Sequence, residues 1–458
     1  MNSETPQLTH SESLDAKWYK IVEQFGTFQA YEYLDGDKQH RETERQNFFN
    51  KVVNNPSLDY PKIDVERLSC NETELLLLKN NIIREEANDI VKQVYQWKLN
   101  EKIAELRLLK AVDTGDMKKF ERYSEFIYGK PSQEIFAFTI HNLRAVVTSQ
   151  LTSYDDTIKN VAQELIDLLP VNLPITANYQ LPQKSDITVA REQTLKELGN
   201  LLNLNIPTKT AGEEYKAAEI RDIFQASLES LQAEGWRAVV DTSSKSGISV
   251  DQEHREIKIP EYRKLGFTKL RALIAHEVGT HIARRLNGER SKLQLLGLGL
   301  DRYEKGEEGI ATMREQILGD SVEDFAGLDG HLAICLAIGV DGKPRDFRKV
   351  YEIMEKYFYL TALSSGKTPE DALKSAQINA WNRTVRTFRG TDCKTKGVCF
   401  RKDIVYREGN IGVWQVAKHK PEEIRRFNVG KYDPVNDRHI WVLNQLEISA
   451  PDLEGLRK

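Results

Sequence analysis

The sequence predicts an α+β fold that is predominantly helical, with a small sheet in its middle. Three observations carry this expectation. The first 180 residues show long amphipathic patterns and no strand-like run longer than a few positions. Short β-branched stretches follow near Trp236 to Val240, Ile248 to Val250 and Ile257 to Ile259. The chain has 458 residues, more than one compact core accommodates comfortably, so a large domain with a substantial extra lobe is expected. On this basis residues 1–180 form a helical N-terminal lobe and residues 181–458 a second domain that carries the sheet.

In the N-terminal lobe, Leu75 to Leu78, Ile82, Ile83, Ile90, Val91, Val94, Trp97, Leu99, Ile103, Leu106 and Leu109 trace the longest apolar stripe. Its spacing is not a sustained heptad, which favours packing into a core over a coiled coil. Pro56, Pro61, Pro131, Pro170 and Pro174 mark turns between helices. No motif in this lobe points to chemistry. The joint falls at Leu169 to Pro174 or at Leu181 to Asp186, where prolines interrupt both flanking patterns. Helices are then expected near 189–203 and 213–234, followed by the three strands, the last two flanking the polar Asp251-Gln252-Glu253. Leu270, Leu273, Ile274, Val278, Ile282 and Leu286 give the next helix its apolar stripe, and Asn287-Gly288 supplies a stop. Met313 to Ile338, and Val350 to Leu360, read as packed helices. Thr368-Pro369-Glu370-Asp371 is a helix start, with Thr as cap and Pro at the first position. There is no internal repeat, low-complexity tract or Gly-rich phosphate loop.

Composition narrows the function classes. Lys and Arg total 65 against 69 Asp and Glu, a formal charge of −4, so nothing draws the chain as a whole to nucleic acid or to an anionic membrane. Met1 to Pro6 lacks the basic and apolar regions of a secretory leader, and no stretch approaches the ~18 apolar residues of a membrane span. A cytoplasmic protein with reduced thiols is expected, since Cys70, Cys335, Cys393 and Cys399 are few for this length. Cys393 and Cys399 as half of a structural zinc site lack a second pair at matching spacing.

The run Ala275-His276-Glu277-Val278-Gly279-Thr280-His281, followed downstream by Glu307-Glu308-Gly309-Ile310-Ala311, reads as a zinc hydrolase site. Imidazole and carboxylate suit Zn2+, and a catalytic zinc takes three protein ligands and leaves one position open. A carboxylate beside that position can serve as general base. On a regular helix, histidines at i and i+4 lie about 40° apart and share one metal. Here the spacing is i and i+5, which puts the rings about 140° apart on an undistorted helix. A π-bulge absorbs the extra residue, and Gly279 inside the interval tolerates altered backbone. One helical histidine is usually a surface or core residue, but a second carboxylate motif at the start of a new helix supplies the third ligand. Glu308 is favoured over Glu307. A neighbouring strand is suited to holding an extended peptide by edge pairing.

These motifs resemble a family of zinc peptidases that includes the microtubule-associated tyrosine carboxypeptidases, whose bacterial relatives are named for a Q-E-G-L-A motif. The resemblance extends to Phe120 through Pro131, to Thr387 through Gly390 and to Lys402 through Tyr406. It implies a zincin-like metallopeptidase domain with zinc ligands His276, His281 and Glu308, and Glu277 activating water. Glu307 and Ile310 replace the motif's Gln and Leu, which leaves the ligand position intact. The implied substrate is the C-terminus of a peptide or protein. Animal members act on tubulin, but that substrate does not transfer with the fold.

A peptidase also needs a donor for the developing oxyanion and, if it trims C-termini, an anchor for the terminal carboxylate. Arg383, Arg386 and Arg389 precede Lys394, Lys396, Arg401 and Lys402 in a stretch with few acids, and an arginine fork suits a carboxylate. Arg386 and Arg389 are the substrate-binding candidates and Tyr406 the oxyanion donor. Each taken alone also fits a solvated basic face. His331 is a weaker candidate, beside the apolar Leu332 to Ile338. The competing reading is a regulatory or binding protein that keeps the metal-site fold without turnover.

Overall fold

Helices make up 64% of the described residues. A computed structural model describes residues 13–449, apart from 27–29, 203, 205, 208, 211, 243–246 and 320–321. The first six residues, read above for a leader, lie outside the described residues, as does Asn203 at the end of one expected helix. No helix among the described residues is long and apolar enough to cross a membrane.

Short acceptor side chains start one helix after another in the first part of the chain. Asp37, Asp64, Asn88, Asp116, Ser132 and Asp155 each accept a bond from a backbone N–H in the first turn of the helix that follows, relieving donors that have no partner within the helix. The long apolar stripe divides at Asn88 into two packed helices, Val65–Glu85 and Asp89–Asp113. Residues 169–183 carry no regular secondary structure, and the helix Lys184–Leu202 begins beyond them.

The strands are β1 (Tyr215–Lys216), β2 (Arg237–Asp241), β3 (Ser249–Asp251), β4 (Glu256–Pro260) and β5 (Lys264–Leu265). β1 pairs antiparallel with β5, opposing Tyr215 to Leu265. The other three form a sheet in the order β2-β4-β3, with β2 parallel and β3 antiparallel to β4. The pairing of β1 delays the following helix to Ala217–Ser230, where the sequence suggested a start near 213. Met313 to Ile338 is split between the helices Glu304–Leu318 and Leu328–Ile338.

The apolar interior has three parts. One joins Trp18, Val91, Leu106 and Phe120 to Leu332, Phe347, Trp381 and Val405, so it crosses residue 180. A second packs Ile257 and Ile259 of β4 with Ile274, Val278 and Ile282 of the histidine motif. At about 1.5–3 kcal/mol for each buried aliphatic side chain, this second part pins the motif to the sheet. The third gathers Ile310, Met313 and Ile317 against Ile411, Val413 and Trp414 of the helix Ile404–His419. These two helices cross at glycine: a Cβ on Gly309 would collide with the Gly409 carbonyl oxygen. The motif glycine thus sets how closely Tyr406 is carried toward Glu308.

Asn287-Gly288 does not stop its helix, which runs to Glu289. Gly288 instead lies against the backbone of Leu296 and Gly297, where a side chain would clash. Thr368 caps Pro369–Phe388 through the Asp371 N–H, as its sequence predicts.

Candidate metal centre

The extra residue between the histidines is absorbed by a π-helix over Ile274–Ile282, continuous with Phe267–Leu273 before it and Ala283–Glu289 after it. The two imidazoles meet with ring centroids 4.9 Å apart and planes at 76°. Gly279 contributes differently from expectation, since its φ is not positive. A Cβ there would stand 2.8 Å from Leu198 Cδ1, so glycine is needed for the close approach of Lys184–Leu202. Thr280 Oγ1 donates to the Ala275 carbonyl at 2.9 Å. Arg314, fully buried, donates to the Gly279 carbonyl at 2.6 Å and to Thr280 Oγ1 at 3.0 Å. The distorted segment is therefore braced from the helix Glu304–Leu318.

That helix also holds both rings. Glu307 Oε1 lies 2.9 Å from His281 Nδ1, and Glu315 Oε1 is 2.6 Å from His276 Nδ1. The second contact is an ion pair outside hydrogen-bond alignment. A carboxylate on each Nδ1 leaves each Nε2 for a metal, the arrangement that orients metal-ligating histidines. His276, Glu277 and His281 place ligand atoms within 4.8 Å of one another. Glu308 Oε2 approaches His276 Nε2 to 3.9 Å but does not complete that mutual set. Two imidazoles and a carboxylate match zinc by donor type.

The electrostatics follow from burial opposed by paired charge. Burial lowers the His276 pKa, but Glu277, Glu315 and Glu308 outweigh it and raise it to about 9. Burial would raise the Glu307 carboxyl, yet Arg284, Lys431 and His281 hold it at about 2. Glu315 stands at about 2 for the same reason, with His276 and Lys269 as its cations. Glu277 is different. Burial pushes its pKa up, and the two histidines only partly oppose this, the direction that suits a general base.

Tyr406 is half-buried, and its phenol pKa is raised chiefly by the charge of Glu308 and then by burial. The Arg386 guanidinium lies 5.9 Å from its ring centroid and bonds Asp403 at 2.5 Å. Arg389 makes no ion pair among the described residues. It faces the rings of Phe400 at 4.8 Å and Tyr31 at 5.9 Å, and its buried Nε has no hydrogen-bond partner. The rest of the basic stretch divides by environment. Lys394 and Lys396 are exposed, Arg401 is buried against Glu121 and Glu125, and Lys402 bonds Glu304 at 2.9 Å. His331 is fully buried with Glu408 and Cys335 as its polar neighbours, a core position.

A family model described as microtubule-associated tyrosine carboxypeptidase matches residues 176–450. The chain belongs to this family. No curated protein matches the chain, and neither does any solved structure. Membership in the tyrosine carboxypeptidase family implies carboxypeptidase-like activity on a peptide or protein. The match begins close to the expected start of the second domain, although residues before it also approach the candidate site. Tyr31 lies 4.4 Å from Lys402 Nζ, and Glu304 and Glu308 both raise its pKa after burial. No local pattern signalled Tyr31 or Arg314. Glu315 had a signal in hindsight, because it follows Glu308 by seven residues and so shares its helix face.

Proposed function

We propose that this chain is a zinc-dependent carboxypeptidase with a zincin-like catalytic domain over residues 181–458 and a helical lobe over residues 1–180. The supporting observation is the pair of imidazoles whose Nδ1 atoms are both held by carboxylates while Glu277 and Glu308 stand beside them. His276, His281 and Glu308 are the proposed zinc ligands. When bound, zinc would polarise the attacking water and the scissile carbonyl.

Glu277 accepts the proton of that water and returns it to the leaving amine, a role supported by its burial and raised pKa. Tyr406, next to Glu308, donates to the carbonyl oxygen as charge develops on it. Arg389 anchors the terminal carboxylate, making no ion pair among the described residues although it feels the charge of Asp403, and Arg386 assists from its bond to Asp403. The β3 edge is available to pair with the substrate backbone. The substrate is a peptide or protein C-terminus, with no role for nucleic acid. Four free thiols suit a cytoplasmic setting.

The test is digestion of a peptide library read by mass spectrometry. Wild type should release C-terminal residues, and a chelator should stop it. Glu277→Gln should abolish release while retaining about one equivalent of metal. Retained hydrolysis in that variant sinks the base assignment, and internal cleavage sinks the carboxypeptidase subclass.

A further inference from the structure

A cavity of 220 Å³ is lined by Glu304, one helical turn before Glu308, and by Val405, next to Tyr406, and much of its wall comes from residues before 176, which the family match does not cover. Lys98, Lys102 and Glu105 of the helix Asp89–Asp113, Tyr128, and Tyr303 and Glu304 line it. Glu304 precedes Glu308 by four residues on one helix, so the two are neighbours on one face, about 5–6 Å apart at Cβ. Lys402, bonded to Glu304, bridges toward Tyr31 and Arg389. The last residue of a substrate carries its carboxylate, its side chain and the scissile nitrogen on one Cα. With the carboxylate at Arg389 and the scissile bond at Glu308 and Tyr406, as proposed above, the cavity lined by Glu304 and Val405 lies beside the residue being released.

The cavity's polar groups are unevenly matched. Lys98 bonds Glu101 at 2.7 Å, and Lys102 donates to the Gly26 carbonyl at 2.8 Å. Glu105 is only 8% exposed, faces the cavity, and has no hydrogen-bond or ion-pair partner among the described residues. Burial and Glu101 push its pKa up, against the opposing ammonium groups of Lys102 and Lys98, and in either protonation state it offers an accepting oxygen. A buried polar group without a partner is costly, and a ligand that supplies a donor removes that cost. The nearby ammonium groups of Lys98 and Lys102 oppose a cationic tip. Neutral amide and hydroxyl ends are the chemistry that fits.

We propose that this cavity receives the side chain of the substrate's last residue, and that Glu105 determines specificity by favouring side chains tipped with a neutral hydrogen-bond donor. The inference rests on the carboxypeptidase reading. Full-length Glu277→Gln protein loaded with zinc is titrated by calorimetry with peptides identical except at the last residue, comparing Gln with Met and Tyr with Phe. The donor-tipped peptide should bind about tenfold tighter in each pair. Adding Glu105→Leu should shrink the difference to about twofold or less. That change breaks no hydrogen bond or ion pair among the described residues but withdraws a charge that Lys98 and Lys102 feel, so a thermal melt checks that the fold is kept. Equal affinities within both pairs, no measurable binding, or a preference that survives Glu105→Leu each overturn the proposal. Wild-type protein is given the same peptides in parallel. A binding preference without release of the last residue upholds the pocket and refutes the carboxypeptidase reading.

Discussion

Replacing Arg314 by Leu should cost the protein both stability and metal affinity. The side chain is fully buried and donates to four acceptors: the Gly279 carbonyl at 2.6 Å, Thr280 Oγ1 at 3.0 Å, Glu197 at 3.2 Å and Asn428 Oδ1 at 2.9 Å. Leucine withdraws the cation from Glu197, and breaking one side of a buried pair costs about 3–5 kcal/mol. It also strips a donor from a carbonyl inside the π-helix, a loss of about 1–3 kcal/mol where no water replaces it. The two losses share one side chain and overlap, so about 4 kcal/mol is the expected total. Unfolding entropy near 2.1 cal/mol/K per residue gives about 1 kcal/mol/K over 458 residues, hence a fall in Tm of about 4 °C. Scanning calorimetry reads the shift, and competition with a chromogenic chelator reads zinc affinity. Arg314→Lys, which keeps the charge without the fork, should fall between. A Tm within about 1 °C of wild type, with unchanged zinc affinity, refutes the bracing role.

Glu315→Gln should weaken zinc binding by about 10–100-fold, because it removes the charge held against His276 Nδ1; equal affinity in chelator competition argues against that role. Gly309→Ala should destabilise by about 1–3 kcal/mol in urea denaturation, since the added methyl meets the Gly409 backbone and two packed helices must part. The Glu408 carboxyl is held at about 2 against burial by His331 and Lys305, below its ordinary 4.5. A depressed carboxylate stabilises the fold above its unfolded pKa and loses that contribution as pH falls through its folded one. About 3 kcal/mol should therefore drain away between pH 4.5 and 2, and Glu408→Gln should show a shallower decline over the same window in pH-dependent melts. Parallel profiles for the two proteins would count against the pairing.

The sequence made the candidate site's geometry legible where its pattern is local. His276, Glu277, His281 and Glu308 sit in two short motifs whose spacing already demanded a π-distortion, and the structure has one at that place. Helix starts at Thr368 and Asp37 were written in capping side chains. Other features depend on partners far along the chain. β1 and β5 are two residues each, too short to leave a period, and exist because Tyr215 and Leu265 meet. Gly279 looked like a residue chosen for backbone freedom, but Leu198 and Leu201 give it a steric reason that no local window contains. The first 180 residues held no motif, yet Tyr31 stands beside Lys402, because tertiary packing alone brings them together.

The helix Glu304–Leu318 carries Glu307, Glu308, Arg314 and Glu315, all turned toward the histidine segment. The proposed ligand, the ring supports and the brace therefore dock or undock as one unit, and amide hydrogens in 274–282 and 304–318 should exchange together, more slowly when a metal ion is added. For a cell this removes an intermediate hazard: a molecule whose helix has not docked has lost the metal centre's supports all at once, so partial folding yields an inert chain rather than an unregulated hydrolase.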